Sequence, residues 1–280
     1  MKHKKLTAAL LAEFSAYLCR EEKERATVEK YLHDIRCFYS FIGEKALDKS
    51  AVLSFKEHLL QKYAISSVNS MLAALNSFFR FCGWESFCVK QLKVQRKTFC
   101  SAEEELTREE YLRLVRAAER QSNERLSLLL QTICGTGIRV SELRFITVEA
   151  VRAGRATVSL KGKTRTVFIV SSLQKRLLGY ARREGIKRGP LFVTKSGAPL
   201  NRSNIWREMK ALCAEAGVAS NKVFPHNLRH LFARTFYGIE RDIAKLADVL
   251  GHSSIETTRI YIVTTGEEHR RYMENMRLII

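Results

Sequence analysis

The sequence predicts a mainly α-helical protein with one small β-hairpin, arranged as an all-helical N-terminal domain over residues 1–85 and a mixed α+β domain over residues 105–280. Three observations predict it. Apolar residues recur at helical spacing through residues 6–85 with no strand-like alternation between them. That periodicity is lost over 86–104. Beyond it helical spacing resumes, giving way near residues 156–170 to the alternation of a strand pair.

Each element has its own signal. Thr7–Cys19 places Leu10, Leu11, Phe14 and Leu18 on one face, and Ala26–Ile42 repeats the pattern with Tyr31, Ile35, Phe38 and Phe41. Leu53–Tyr63 and Ser66–Phe81 read as third and fourth helices, the latter with Met71, Leu75, Phe78 and Phe79 on one side. These aromatic stripes are core packing. Residues 86–104 carry Lys90, Lys93, Arg96 and Lys97 ahead of three glutamates and read as an exposed linker. Its cations suit a phosphate backbone, and they suit plain solvation equally well. Thr107 followed by Glu110 is a capping box that opens the second domain. Leu126–Cys134 is a strongly apolar helix ended by Gly135-Thr136-Gly137, and Arg139–Phe145 starts another. Ala156–Leu160 and Thr166–Val170 alternate as a hairpin around Lys161-Gly162-Lys163-Thr164. Leu173–Glu184, Ser203–Ala216, Leu228–Ile239, Asp242–Leu250, Ser254–Tyr261 and Glu267–Ile280 read as helices.

Composition removes whole classes of function. With 46% hydrophobic and 28% charged residues in 280, the chain is globular, and its 14 glycines and 3 prolines exclude a collagen-like or low-complexity protein. The longest apolar runs are far too short to span a bilayer. Glu13 interrupts the N-terminal apolar stretch before a signal-peptide core forms, so a soluble, cytoplasmic protein is expected. Seven cysteines, an odd number without a C-x-x-C pair or metal-ligand spacing, argue for reduced thiols and against a zinc finger or zinc nuclease.

Charge points to a partner. Lys and Arg total 48 against 29 Asp and Glu, a net charge of +19. Residues 1–100 hold 17 basic and 10 acidic side chains and residues 101–280 hold 31 and 19, so the excess is spread over both domains. A folded chain so charged repels itself unless a polyanion neutralises it, which favours nucleic acid over a membrane surface.

Three stretches carry chemistry. Gly135-Thr136-Gly137-Ile138-Arg139-Val140-Ser141-Glu142-Leu143 sets an arginine at a helix start after a glycine break, where free N–H groups and the helix dipole favour an anion. Pro225-His226-Asn227-Leu228-Arg229-His230 puts His226 and Arg229 three apart on one helix face, a proton carrier beside a phosphate clamp. Leu250-Gly251-His252 is followed nine residues after the histidine by Tyr261, which becomes a nucleophile only if nearby cations stabilise its phenolate.

In this order the stretches resemble the tyrosine recombinase, or phage integrase, family. Its Arg…Lys…His-x-x-Arg…His…Tyr signature is met at Arg139, Lys161, His226, Arg229, His252 and Tyr261. The family words T-G-x-R-x-S-E-L, P-H-x-L-R-H and L-G-H-x-x-x-x-T-T-x-x-Y are all present, and the likeness covers nearly the whole chain. The helical N-terminal part is similar to the family's core-binding domain, with its Thr27-x-x-x-Tyr31-x-x-Asp34 pattern, and the second to its catalytic domain. Ala247 and Ile262-Val263 depart from common family residues, at none of the six catalytic positions.

The resemblance implies that Tyr261 attacks a DNA phosphodiester, leaving a 3′-phosphotyrosyl link and a free 5′-hydroxyl. Arg139 and Arg229 would bind the non-bridging oxygens, Lys161 would protonate the leaving oxygen, His226 would take the tyrosine proton, and His252 would hydrogen-bond the phosphate. Lys161 is preferred to Lys163 because it stands immediately before Gly162. Glu142 would orient the cluster. Thr27, Tyr31, Lys90, Lys93, Arg96, Lys97 and Lys163 are the expected further DNA contacts. No metal, nucleotide or other cofactor is implied. The implied partners are a double-stranded recombination site and three further copies, a homotetramer on two sites exchanging the C-terminal helix at 267–280, a helix that self-docking would account for equally well. A cytoplasmic, nucleoid-associated bacterial enzyme without an added arm-binding domain is expected. The residues at 247 and 262–263 favour integration or excision of a mobile element over inversion or chromosome-dimer resolution. A type IB topoisomerase-like enzyme and a non-catalytic DNA-binding regulator are the alternatives.

Overall fold

The computed structural model describes residues 7–43, 46–93, 103–160, 162–194, 196–261 and 266–276. Its contacts divide the chain into two compact units, Met1–Arg96 and Lys97–Ile280.

The first unit is four helices, α1 (Ala8–Arg20), α2 (Arg25–Ile42), α3 (Lys49–Lys62) and α4 (Ile65–Phe81). Thr7 and Asp48 open α1 and α3 by accepting the backbone N–H of Leu10 and Ala51, donors that a helix start otherwise leaves unpaired. The apolar faces read from the sequence meet in one core, where Phe14, Phe38, Phe78 and Phe79 are fully buried. Phe14 meets Phe78 edge to face with centroids 5.3 Å apart, the arrangement ring quadrupoles prefer. Asp34 is buried and paired with Lys30 one turn away.

The expected linker at 86–104 begins later than its loss of periodicity suggests. A short 3₁₀ turn, Glu85–Phe87, leads into a strap fastened along α4 by two asparagines. Asn76 donates to the Val89 carbonyl at 2.8 Å and accepts its N–H at 2.9 Å, and Asn69 does the same for Leu92 at 2.9 and 2.8 Å. Val89 is buried, while Lys90 and Lys93 are exposed. Side-chain amides that satisfy an irregular backbone leave no periodic trace in sequence.

The second unit opens with α5 (Arg108–Arg120), whose capping box is complete: Glu110 donates its N–H to Thr107 and its carboxylate accepts the Thr107 N–H. The apolar helix α6 (Glu124–Thr136) follows, then a 3₁₀ helix at Val140–Phe145 where an α-helix was expected. It ends at Ile146, whose ψ of +84° leaves the helical range and whose carbonyl accepts the Leu191 N–H at 3.0 Å. After α7 (Val148–Arg152), strands β1 (Arg155–Leu160) and β2 (Lys163–Phe168) pair antiparallel from Arg155↔Phe168 to Leu160↔Lys163. Lys163 and Thr164, expected in the turn, are therefore strand residues. Gly162 takes φ +71°, the left-handed geometry a tight hairpin requires. Val170 leaves the strand to precede α8 (Ser171–Arg183).

The expected helix at 203–216 is split at Leu212 into α9 (Arg202–Ala211) and α10 (Cys213–Ala216). α11 (Pro225–Glu240) starts three residues before its expected Leu228, with Pro225 in the first turn, where its missing N–H costs nothing. α12 (Ile243–Leu250), α13 (Ile255–Arg259) and α14 (Gly266–Asn275) complete the chain. A large core joins α5, α6, α8, the hairpin and the start of α11, and a smaller cluster of Ala233, Leu246, Leu250 and Tyr261 lies between α11 and α12. Among the described residues no helix is long and apolar enough to cross a membrane.

Candidate active site

Two glycine-ended helices and the start of a third deliver the side chains. Gly137 closes α6 at φ +64°, and a Cβ there would run into the Phe232 ring, so only glycine lets α6 approach α11 this closely. Its carbonyl accepts Arg229 Nη1. Gly251 closes α12 in the same way: its N–H reaches the Asp248 carbonyl and the His252 N–H reaches Ala247 at 2.9 Å, a Schellman closure that sets the direction of His252. Pro225 starts α11, which brings His226 and Arg229 to the same face of its first turns.

Arg229 is the centre. It is 2% exposed, donates from Nη2 to the Leu250 carbonyl at 2.7 Å, and lies with Nη2 at 2.9 Å from His252 Nε2. Its buried Nε has no partner among the described residues. Burial and the nearby Arg139 charge lower its pKa to about 10, against an opposing contribution from the Tyr261 phenol beside it. A guanidinium can only donate, so His252 Nε2 accepts, and Nδ1 carries the proton that meets Thr258 Oγ1 at 2.9 Å. In this state Nε2 is engaged, so a His252–phosphate contact requires exchange of its bond to Arg229.

Tyr261 is 3% exposed and follows α13 in a turn held by its N–H on the Thr258 carbonyl at 3.0 Å. Its ring is surrounded by histidines, at 5.6 Å from His226, 4.4 Å from His230 and 5.5 Å from His252 between centroids. Burial and the surrounding cations lower the pKa of each: to about 4 for His230 and His252, and below its usual value for His226, which keeps solvent exposure beside Arg229, Arg202 and Arg139. Neutral imidazoles around the phenol can accept a proton.

Arg139 is half-buried and bound to Glu142, which accepts its N–H and its Nη1, both at 2.9 Å. The Arg139 N–H, expected to be free for an anion, is thus occupied. Burial of Glu142 pushes its carboxyl pKa up, but the Arg139 N–H and the charges of Arg165 and Arg139 outweigh it and hold the pKa below the carboxylate range. Arg139 lines two grooves. One, of about 900 Å³, also includes Arg202, Trp206, His226 and Arg229, and the other, of about 800 Å³, includes Glu142, Arg165 and His252. No group of three His, Cys, Asp or Glu converges as a metal site would among the described residues. Across the two grooves five guanidinium groups, of Arg139, Arg144, Arg165, Arg202 and Arg229, face two carboxylates, of Glu142 and Asp248, so this surface suits an anion.

Five of the six expected catalytic side chains thus converge, with Glu142 beside them. Lys161, Arg96 and Lys97 lie outside the described residues. Lys163 begins β2. Thr27 and Tyr31 are in the first unit, where Tyr31 packs on the core; Lys90 and Lys93 belong to its strap. Sequence reasoning missed Arg165, His230, Thr258 and Arg202. His230 and Thr258 stand inside the words already quoted. Arg165 had a fainter signal: two positions before Val167, it falls on the buried face of β2, where a charge needs a partner.

Known proteins are similar to this chain in sequence and in fold. The Phage integrase family matches residues 104–268, and the Phage integrase, N-terminal SAM-like domain matches residues 11–86. Tyrosine recombinase XerA of Pyrococcus furiosus is 31% identical over 100% of this chain and 98% of its own length. Tyrosine recombinase XerC of Halalkalibacterium halodurans is 28% identical over 93% of this chain and 94% of its own. Among solved structures, a XerA recombinase is 25% identical with a TM-score of 0.55, covering 97% of this chain and 99% of its own. A lambda integrase dimer on a COC′ core site shares the fold with a TM-score of 0.75 at 17% identity, over 93% and 96% of the two chains.

Proposed function

The chain belongs to the phage integrase family of tyrosine recombinases, which cut and rejoin DNA strands, and we propose that it performs site-specific recombination with Tyr261 as the nucleophile. The observation that carries this assignment is the burial of Tyr261 among His226, His230 and His252, with the Arg229 guanidinium beside it.

Tyr261 Oη forms a bond to the scissile phosphorus as the P–O5′ bond breaks, leaving a 3′-phosphotyrosyl link. The phenol proton passes to His226, and Lys161 supplies a proton to the departing 5′-oxygen. Arg139 and Arg229 face the non-bridging oxygens, where charge builds in the transition state; the orphaned Nε of Arg229 fits that role. The guanidinium groups supply the positive charge, so neither metal nor ATP enters the chemistry. The covalent link stores the bond for resealing by a partner strand's 5′-hydroxyl. Thr27, Tyr31, Lys90, Lys93, Arg96, Lys97 and Lys163 are DNA contacts in this reading.

Recombination pairs two DNA sites, and the chain acts as a homotetramer that exchanges its C-terminal helix. The exposure of Met273 on α14 and of Met276 just after it supports docking on a neighbour. For the biological task, full-length likeness to Xer recombinases favours chromosome-dimer resolution. Integration or excision of a mobile element is the second reading, favoured by Ala247 and Ile262-Val263.

A nicked suicide substrate made from DNA flanking the gene tests the chemistry in EDTA on a denaturing gel. Wild type is expected to form a covalent adduct and Tyr261→Phe none. Tight binding without an adduct would instead make the chain a DNA-binding regulator. Relaxation of supercoiled DNA without products joining two sites would make it topoisomerase-like. Loss of the gene separates the two biological tasks: multimeric chromosomes point to dimer resolution, and failed excision with normal segregation points to a mobile element.

A further inference from the structure

We propose that Arg165 is a positioning residue of the cleavage centre: it neutralises Glu142 so that Arg139 stays cationic toward the scissile phosphate, and it ties the hairpin to the turn that carries His252. The proposal deepens the recombinase reading and rests on it for the identity of the anion.

The charge count makes the case. Glu142 is buried and holds Arg139 twice, by its N–H and its Nη1. Alone, that pair is neutral, and a neutral pair has little attraction for a phosphate. Arg165 Nη2 donates to the same carboxylate at 2.6 Å, closer than the 2.9 Å contact from Arg139 Nη1, and leaves the trio with one net positive charge. Exposure decides which arginine keeps it. The Arg165 side chain is 12% exposed and that of Arg139 39%, so the buried cation answers the buried anion while the accessible one faces both grooves.

The other end of the guanidinium fixes geometry. Arg165 Nη1 donates to the Val249 carbonyl at 2.8 Å, two residues before Gly251. A Cβ on Gly251 would collide with the Arg165 side chain, so glycine there admits the arginine as well as the left-handed turn. One side chain, opposite Val158 in the hairpin register, thereby touches both the 3₁₀ helix that follows Arg139 and the last turn of α12. A lysine keeps the charge but cannot span two acceptors this way.

The test compares Arg165→Met, Arg165→Lys and the double variant Glu142→Gln/Arg165→Met with wild type. Cleavage of the nicked substrate is measured with an ordinary phosphate and with a methylphosphonate at the scissile position. Arg165→Met is expected to lose about 10- to 100-fold on the ordinary phosphate, the scale of a lost group that orients a functional side chain from behind. Arg165→Lys should fall between. The double variant should cleave faster than Arg165→Met despite its extra substitution, because removing both charges returns the cation to Arg139. On the methylphosphonate, which lacks the charge Arg139 answers, the gap between Arg165→Met and wild type should narrow. A packing role alone would predict a double variant no better than the single and the same gap on both substrates. Either result, or wild-type cleavage by Arg165→Met, overturns the proposal.

Binding of inorganic phosphate, read as a thermal shift in a Tyr261→Phe background, needs no cleavage. Phosphate should stabilise the parent, not the Arg165→Met form, and again the double form. That pattern in a protein whose wild type forms no adduct would sink the recombinase chemistry and leave the role of Arg165 standing. Equal phosphate stabilisation of parent and Arg165→Met overturns that role. If Arg165→Met fails to fold, the double variant and Arg165→Lys carry the comparison.

Discussion

His252 stands between a guanidinium that can only donate and a hydroxyl that can accept, and so its neutral Nδ1–H form is selected by Arg229 and Thr258. Thr258→Val is isosteric but strands the Nδ1 proton, and leaving a buried donor unpaired costs about 1–3 kcal/mol. Cleavage should fall while DNA affinity holds, and Thr258→Ser should restore most of the rate. The histidines also set a pH response. His230 and His252 have folded pKa values near 4 against 6.5 for an ordinary histidine, so the unfolded chain binds protons first as pH falls. Stability is complete above 6.5 and drains away toward 4; Glu142, also depressed, adds loss in the same direction at more acid pH. Thermal melts should be level above about pH 7 and decline below it, with a shallower decline in His230→Asn. Level melts down to pH 4 would contradict the burial of neutral imidazole.

At the scale of elements, the site depends on how helices end. Gly251→Ala combines a strained φ with a collision on Arg165 and should cost about 1–3 kcal/mol of stability. Cleavage should suffer beyond the loss of folded protein, since His252 and Arg165 both move. In the first unit, Asn76→Ala removes two buried bonds to Val89 and should lower stability by about 2–3 kcal/mol in a urea melt. Element identity was largely legible, because amphipathic spacing reports which face is buried. Boundaries were less so. The start of α11 was hidden because Pro225 reads as a breaker unless it occupies the first turn. The strap at 88–92 was hidden because asparagine side chains replace the periodic signal of an element.

For the whole molecule, charge and the exposed α14 face are the governing features. A net charge of +19 spread over both units should make affinity for duplex DNA fall steeply with salt, by roughly a thousandfold or more between about 50 and 200 mM if six or more phosphates are neutralised. A flat dependence would mean that the charge faces solvent and not DNA. Met273 and Met276 are 61% and 58% exposed, so Met273→Ser with Met276→Ser should leave the melting temperature unchanged. Under the exchange proposal the same variant should form the tyrosyl adduct yet yield fewer two-site products. Fewer adducts together with a lower melting temperature would place the helix on its own subunit.

The words around Arg139, His226, Arg229, His252 and Tyr261 were readable from sequence alone because local chemistry dictates them. A glycine must end each helix, a proline can begin one, and a residue three positions on shares its face. Sequence likewise settled the family, the helical class and the basic character. Which tautomer His252 holds, which arginine answers Glu142, and how deeply Tyr261 is packed depend on partners 23 to 84 residues apart, such as Arg229 with His252 and Arg165 with Val249. Burial and charge pairing are properties of a surroundings assembled from distant segments, and only the folded chain brings those segments within reach of one another.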